Sequence, residues 1–304
     1  MRNKSMDYLI RNGVIPNDST LIQHRHNLIT KSIKSNSVSR ISAANEGEYD
    51  TTPQNVEYSH HVAWEAGAQN QSILQPILEN PIRYNKFVIS QYPLGNIPQY
   101  DDLSYSDLSS VLKRLSYINT SSIDGLRALD VYSYASERLL TASTNTSGLR
   151  SDLNSVIDYV KRFFYTHQDK FFDYINESPR QLIHGDIHSQ NIIYYQGDIR
   201  LIDLDTASEG PPLYDIASWH LRYLVGDDTM IDVNQLIEIA AQEPEWDKKM
   251  YKAMIGWKAI SSMTYLLVNG ERFDDFTHRI KQIGEIASNI CGINIERVYF
   301  DYEE

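Results

Sequence analysis

The chain has a single cysteine, Cys291, in 304 residues. That excludes an internal disulfide and a thiolate metal cluster, and it suits a reducing compartment. Basic residues are in the minority: 28 Lys plus Arg stand against 40 Asp plus Glu, a net charge of −12. A nucleic-acid binder needs a basic face, so no nucleic-acid partner is expected, whereas a cationic partner would suit the balance. No apolar run approaches the ~20 residues of a membrane span. Residues 1–17 hold basic side chains but no apolar stretch of signal-peptide length. A cytoplasmic protein with no membrane partner is the expectation. Also missing are a glycine-rich phosphate loop and any Val-Ala-Ile-Lys string.

What is present is an ordinary globular composition, 41% hydrophobic and 22% charged. The length suits about two domains or one bilobal one. The first hundred or so residues read as strand-rich, with strands over 21–33 and 37–43 joined by the turn 34–36. A polar loop covers 45–55, a helix fits 56–68, and a strand over 86–92 is stopped by Pro93 and Gly95. Beyond Asp101 the spacing turns helical. Leu108, Val111, Leu112, Leu115 and Ile118 share one face, and Val156, Ile157, Val160 and Phe163 continue the theme. A Ser/Thr/Asn/Gly-rich linker is expected over 141–148. Phe273, Phe276, Ile280, Ile283, Ala287 and Ile290 form an apolar stripe that reads as core.

A β-rich insertion spans 181–206. Residues 191–195 read as a strand, 196–198 as a turn and 199–202 as the return strand. Around it lies the densest polar cluster in the chain: His184-Gly185-Asp186-Ile187-His188-Ser189-Gln190-Asn191, then Ile202-Asp203-Leu204-Asp205. An antiparallel hairpin returns its two ends to each other, so a carboxylate, a carboxamide and further carboxylates are expected to converge. Asp and Asn oxygens are hard ligands suited to Mg²⁺ on phosphate oxygens. A carboxylate free of the metal can orient and deprotonate an attacking hydroxyl. A catalytic-loop Asp, an Asn five residues on and a downstream Asp form the kinase arrangement for phosphoryl transfer.

The string HGDIHSQN resembles the HGDxHxxN catalytic loop of the aminoglycoside phosphotransferase and choline kinase-like family. The Ile202–Asp205 string resembles that family's metal-binding segment, and Gly210-Pro211-Pro212-Leu213-Tyr214-Asp215-Ile216-Ala217 resembles the turn and helix start that follow. The resemblance implies an α+β, bilobal protein-kinase-like fold, with a small antiparallel β lobe and a larger helical lobe carrying a short β-hairpin at the catalytic loop. It implies a nucleotide-binding lobe over 1–94 and a helical lobe with the catalytic loop and substrate site over 95–304. It assigns Asp186 as catalytic base and Asn191 and Asp203 as Mg²⁺ ligands. Asp205 and His188 are candidates for substrate or second-metal contact. Asp215 would buttress the catalytic loop, His184 would be structural, and Ile193 and Ile202 would pack under the nucleotide base.

The nucleotide lobe departs from the kinase pattern. Arg40 takes the place of the strand lysine, and Arg, always charged, holds phosphate in a bidentate way that Lys does not. Glu65 is its expected partner, with Glu57 as fallback, and Lys31 is the rival cation. In the glycine-free segment 23–28, Asn27 is the candidate phosphate donor. Gln91 and Tyr92 lie where the resemblance puts the inter-lobe hinge, and would read the purine edge of ATP or GTP through their main chains. The expected reaction moves a γ-phosphate to a hydroxyl of a small acceptor, first of all an aminoglycoside-like antibiotic, then choline, homoserine or a sugar-type alcohol. Asp227, Asp228, Glu243, Glu245, Asp274, Asp275 and 301–304 supply carboxylates for a cationic acceptor. Trp219, Tyr223, Trp257 and Tyr265 supply aromatic faces. Two alternatives compete. In one, Gly185-Asp186-Ile187-His188 is a dinuclear phosphoesterase motif. In the other, the chain is a pseudokinase-like binding protein.

Overall fold

The computed structural model describes residues 4–24, 28–43, 52–98, 103–145, 151–244, 246–269 and 275–294. In chain order the elements begin with α1 (Lys4–Arg11), β1 (Thr20–His24), β2 (Leu28–Ser32), β3 (Ser37–Ala43), α2 (Pro53–Gln69), β4 (Ile82–Tyr84) and β5 (Phe87–Pro93). Then come α3 (Tyr105–Arg114), α4 (Val131–Asn145), α5 (Ser151–Asn176), β6 (Gln181–Ile183), β7 (Ile192–Tyr195), β8 (Asp198–Leu201) and β9 (Ser208–Gly210). Four helices follow: α6 (Tyr214–Leu224), α7 (Val233–Ala240), α8 (Lys248–Asn269) and α9 (Phe276–Cys291). The chain divides into two compact units, residues 1–127 with 188–208, and residues 128–187 with 209–304. A small antiparallel sheet and a set of helices make the α+β class.

The first unit is built on a five-stranded antiparallel sheet in the order β1-β2-β3-β5-β4. Met6 and Leu9 of α1 pack on Leu28, Ile41, Phe87 and Ile89, which are buried in one cluster. The expected strand over 21–33 is two strands, β1 and β2. The loop expected up to residue 55 ends sooner, because Pro53 opens α2 at a position where its missing N–H costs nothing. Thr52 caps that helix, its hydroxyl accepting the Asn55 N–H at 3.3 Å.

The first compact unit runs on to Arg127. Hydrogen bonds explain why residues 103–124 stay with the sheet: Asn70 Nδ2 donates to the Arg114 carbonyl at 2.8 Å, and Gln69 Oε1 accepts the Asn119 N–H at 2.8 Å. The hairpin β7–β8 is tied to this unit as well. The Leu201 N–H donates to the Ser72 carbonyl at 2.8 Å, and the N–H groups of Asn96 and Tyr194 donate to each other's carbonyls at 2.8 Å.

The second unit is helical. Its core gathers α4, α5, α6, α8 and α9 around Phe163, Phe164, Trp257, Ile260, Met263 and Ile280. Each such side chain, once fully buried, adds about 1.5–3 kcal/mol. The expected C-terminal stripe is α9, with Ile280, Ile283 and Ala287 buried; Phe273 lies outside the described residues. α4 runs on to Asn145 through the expected linker. Its hydroxyls stay within the helix: Thr141 Oγ1 donates to the Glu137 carbonyl at 2.9 Å and Ser143 Oγ to the Leu139 carbonyl at 2.7 Å. No helix of the described residues is long and apolar enough to cross a membrane.

A buried imidazole joins three helices. His167 Nε2 donates to the Ala253 carbonyl at 2.9 Å, and its Nδ1 accepts the Tyr132 hydroxyl at 2.8 Å. Burial disfavours the charged ring and lowers its pKa to about 4, although the Ala253 bond works the other way. The close approach needs Gly256: a Cβ there would lie 2.2 Å from His167 Cδ2 and 3.0 Å from Cys291 Sγ.

Two outcomes follow from this core. Gly256→Ala is expected to lower stability by about 1–3 kcal/mol through overpacking, read by urea unfolding; an unchanged midpoint would show that the helices yield freely. A depressed histidine makes the unfolded state bind more protons between pH 4 and 6.5. His167 therefore contributes stability that is full above about pH 6.5 and is lost as the pH falls towards 4, at up to about 1.4 kcal/mol per pH unit. Unfolding curves of His167→Gln should show a shallower acid slope than the parent, and an identical slope would contradict the assignment.

Candidate active site

Two polar assemblies carry the residues that the motifs single out, one in each unit. In the second unit, β6 delivers the chain into His184-Gly185-Asp186. The loop is wound around Asp215, in the first turn of α6, whose buried carboxylate accepts the His184 N–H at 2.7 Å and the Gly185 N–H at 2.8 Å. Burial raises the Asp215 pKa, with His184 and the two backbone N–H groups pulling against it. Asp215 thus buttresses the loop. His184 is itself buried, and its Nδ1 accepts the Asp186 N–H at 3.4 Å.

The Asp186 carboxylate meets two cations. Arg222 Nη1, from α6, lies 2.6 Å from Oδ1, and Lys258 Nζ, from α8, lies 3.6 Å from the same oxygen. Burial lowers the Lys258 pKa, and Asp186 beside it works against that. Neither cation was among the expected site residues. Two signals could have found them. Arg222 lies two helical turns beyond Asp215, hence on the same face of α6. Lys258 interrupts the apolar run 253–260 of α8, where a charge needs a partner.

In the first unit, the hairpin does what its sequence pattern requires. β7 and β8 pair antiparallel through Ile192↔Leu201, Ile193↔Arg200, Tyr194↔Ile199 and Tyr195↔Asp198. Gln196 and Gly197 both have positive φ, the two-residue turn that matches strand twist. At the open end His188 Nδ1 accepts the Gln190 N–H at 3.3 Å and caps the turn Ser189–Asn191. Asn191 is buried, and its carbonyl accepts the Ile202 N–H at 3.0 Å. That bond brings Asn191 beside the strand that leads into Asp203. Asp203 has φ 66°, a left-handed conformation that Asp tolerates better than most residues and that often marks a working site.

Arg40 closes this assembly. Its Nη1 lies 2.9 Å from Asp203 Oδ1 and donates to Asp205 Oδ1 at 2.6 Å, while Nη2 contacts Asp205 Oδ2. Nη1 also reaches Ser59 Oγ of α2 at 3.4 Å. Burial alone would weaken the guanidinium's charge, but Asp203 and Asp205 more than offset it and hold its pKa above the ordinary value. The sequence pairs Arg40 with Glu65; the structure pairs it with the two hairpin carboxylates. Glu65 is half-buried on α2, and its carbonyl accepts from Gln69 Nε2 at 3.3 Å. Glu57 is paired with Arg83 Nε at 2.9 Å, and Lys31 is exposed on β2.

The remaining expected contacts are distributed around the sheet and hairpin. Gln91 and Tyr92 lie on β5 opposite Ser39 and Val38, and the Gln91 carbonyl already accepts the Ile77 N–H at 2.8 Å. Ile193 and Ile202 are half-buried. Asn27 lies outside the described residues, as do Glu245, Asp274 and 301–304. Of the acidic residues expected to face an acceptor, Asp227 pairs with Arg279, and buried Asp228 accepts from Trp219 Nε1 at 2.9 Å. Trp219 and Trp257 belong to the interior.

The donors at the hairpin mouth suit a hard divalent ion. Asn191 offers an amide oxygen and Asp203 and Asp205 offer carboxylates, which the Arg40 guanidinium engages in this structure. No group of three or more His, Cys, Asp or Glu side chains is arranged to hold a metal among the described residues. An ion here would have few protein ligands, which suits Mg²⁺, an ion that keeps water and phosphate oxygens in its shell.

Residues 107–248, just under half of the chain, match the model of the phosphotransferase enzyme family. None of the curated proteins matches the sequence. Among solved structures, a thermostable mutant of the aminoglycoside phosphotransferase APH(4)-Ia, in a ternary complex with ADP and hygromycin B, superposes with a TM-score of 0.66 at 14% identity, covering 96% of this chain and 100% of that one. A choline/ethanolamine kinase family protein from Mesorhizobium loti gives 0.63 at 12%, covering 94% of both chains. The choline kinase LicA from Streptococcus pneumoniae gives 0.62 at 12%, covering 96% of this chain and 100% of that one. Those likenesses establish the fold, and the segment similar to the phosphotransferase enzyme family contains the whole HGDIHSQN to Asp215 region.

Proposed function

We propose that the protein moves the γ-phosphoryl group of ATP or GTP to a hydroxyl of a small molecule, with Mg²⁺ held by Asn191 and Asp203. The observation that carries this reading is the closure of the hairpin mouth. The Ile202 N–H on the Asn191 carbonyl aligns an amide and an acidic strand end, and Arg40 lies across Asp203 and Asp205. Such a set is the metal-and-phosphate half of a phosphoryl-transfer site. The solved complexes support the nucleotide: APH(4)-Ia is bound to ADP in one structure and to AMP-PNP in another, each with hygromycin B.

In this reading the acceptor oxygen attacks the γ-phosphorus, and the bond from that phosphorus to the bridging oxygen breaks. The nucleoside diphosphate leaves with the bonding electron pair. The hydroxyl proton passes to Asp186. Its carboxylate orients the acceptor, and Arg222 and Lys258 fix one of its oxygens. Mg²⁺, when bound, offsets charge on the phosphates. Arg40, held between Asp203 and Asp205 here, is the phosphate-binding cation of the nucleotide lobe over residues 1–94. Glu65 supports that lobe, and Asn27 is its phosphate donor. The main chains of Gln91 and Tyr92 read the base, and Ile193 and Ile202 pack under it. His188 and Asp205 border the transferred group. A dinuclear phosphoesterase draws no support, because Asp186 is engaged by two cations and His188 caps its own turn.

Asp186→Asn is expected to retain binding of Mg²⁺ with AMP-PNP and to cut turnover by about 10²-fold or more. Diphosphate release over a panel of hydroxylated acceptors reads the loss. Parent-like turnover would remove Asp186 from the role of base.

A further inference from the structure

Overall acidity suggests a cationic acceptor, yet the side chains that contact Asp186 have the opposite character. Arg222 and Lys258 reach the same oxygen, Oδ1, at 2.6 and 3.6 Å. Asp186 is 39% exposed, Arg222 28% and Lys258 14%, so the carboxylate and the guanidinium are open to a ligand while the ammonium sits deeper. The other acid described in this assembly, Asp215, is buried with its two oxygens on the N–H groups of His184 and Gly185. Arg222 also keeps a buried Nε without a hydrogen-bond partner among the described residues. Asp227 and Asp228 are engaged elsewhere, with Arg279 and Trp219.

On the premise that the phosphotransferase reading holds, we infer that Arg222 and Lys258 select the acceptor, which carries an anionic group, a carboxylate or a phosphate monoester, beside the hydroxyl that Asp186 engages. When Asp186 turns to a hydroxyl and takes its proton, the two cations lose the charge that balances them. An anion on the acceptor restores the balance against a part-exposed guanidinium, whose planar fork matches carboxylate and phosphate. An aminoglycoside would instead bring ammonium groups against two fixed positive charges at close range. Net charge over the whole chain says little about a site this local.

The test uses the full chain with Mg²⁺ and ATP and reads diphosphate release. Acceptors come in matched sets: glycerate, glyceramide and 3-amino-1,2-propanediol, and a hexose phosphate, the hexose and the amino sugar. The anionic member of a set is expected to show a kcat/KM at least about tenfold above its neutral and ammonium partners, a tenfold step being about 1.4 kcal/mol. Arg222→Gln should erase most of that advantage through KM, and Arg222→Lys should restore part of it. A general loss of structure would lower all members alike. Preference for neutral or ammonium members, no response to any anionic member, or an advantage undiminished in Arg222→Gln overturns the inference. Thermal shift with Mg²⁺ and AMP-PNP separates the two readings. A protein that binds nucleotide and phosphorylates only neutral or cationic alcohols contradicts this inference alone, whereas one that binds no nucleotide contradicts both.

Discussion

A single buried guanidinium organises the first unit. Arg40 enters from the middle of the central strand β3 and meets the carboxylates of Asp203 and Asp205, the latter 165 residues later in the chain. Burying the guanidinium is costly, and Asp203 and Asp205, which keep 46% and 23% of their side-chain surface exposed, compensate its charge. Removing either side would leave an uncompensated charge. The pairing therefore ties the strand to the Asp203–Asp205 segment, and it keeps a positive group where phosphates would need balancing charge.

Around that pair the structure spends backbone hydrogen bonds on precision. The hairpin is fixed by its own register, by Ser72 and Asn96 on neighbouring segments, and by the Ile202 to Asn191 bond at its mouth. In the other unit a buried carboxylate, Asp215, takes the place of solvent for two N–H groups of the His184-Gly185 turn. Both are local solutions to one requirement, that the backbone next to a candidate site side chain be hydrogen-bonded so that the side chain stays in place.

Much of the candidate site was legible in the sequence because its proposed residues are contiguous or lie on one hairpin. Asp186, Asn191, Asp203 and Asp215 fall within a single stretch, and a two-residue turn with alternating apolar residues fixes how that stretch folds. Arg222, Lys258 and the partner of Arg40 were not legible for the opposite reason. Each contact depends on packing between elements distant in sequence, and the spacing of Arg222 from Asp215 and the lone charge of Lys258 in an apolar run mark a face without naming the partner. Fold errors were of the same local kind. α1 was hidden in a short polar N-terminal stretch whose apolar residues gain meaning only against the sheet. The last turns of α4 were hidden by Ser and Thr, which read as linker although their hydroxyls bond back to the helix.

The account stands or falls on whether the Asp203 end of the hairpin is a metal-and-phosphate site. Titration calorimetry of AMP-PNP into the full chain, with Mg²⁺ and then with a chelator, tests this most directly. Mg²⁺ should tighten binding by about tenfold or more, a change of about 1.4 kcal/mol or above, and that gain should vanish in Asp203→Asn. Equal affinity with and without the ion, or an undiminished gain in the variant, would contradict the account.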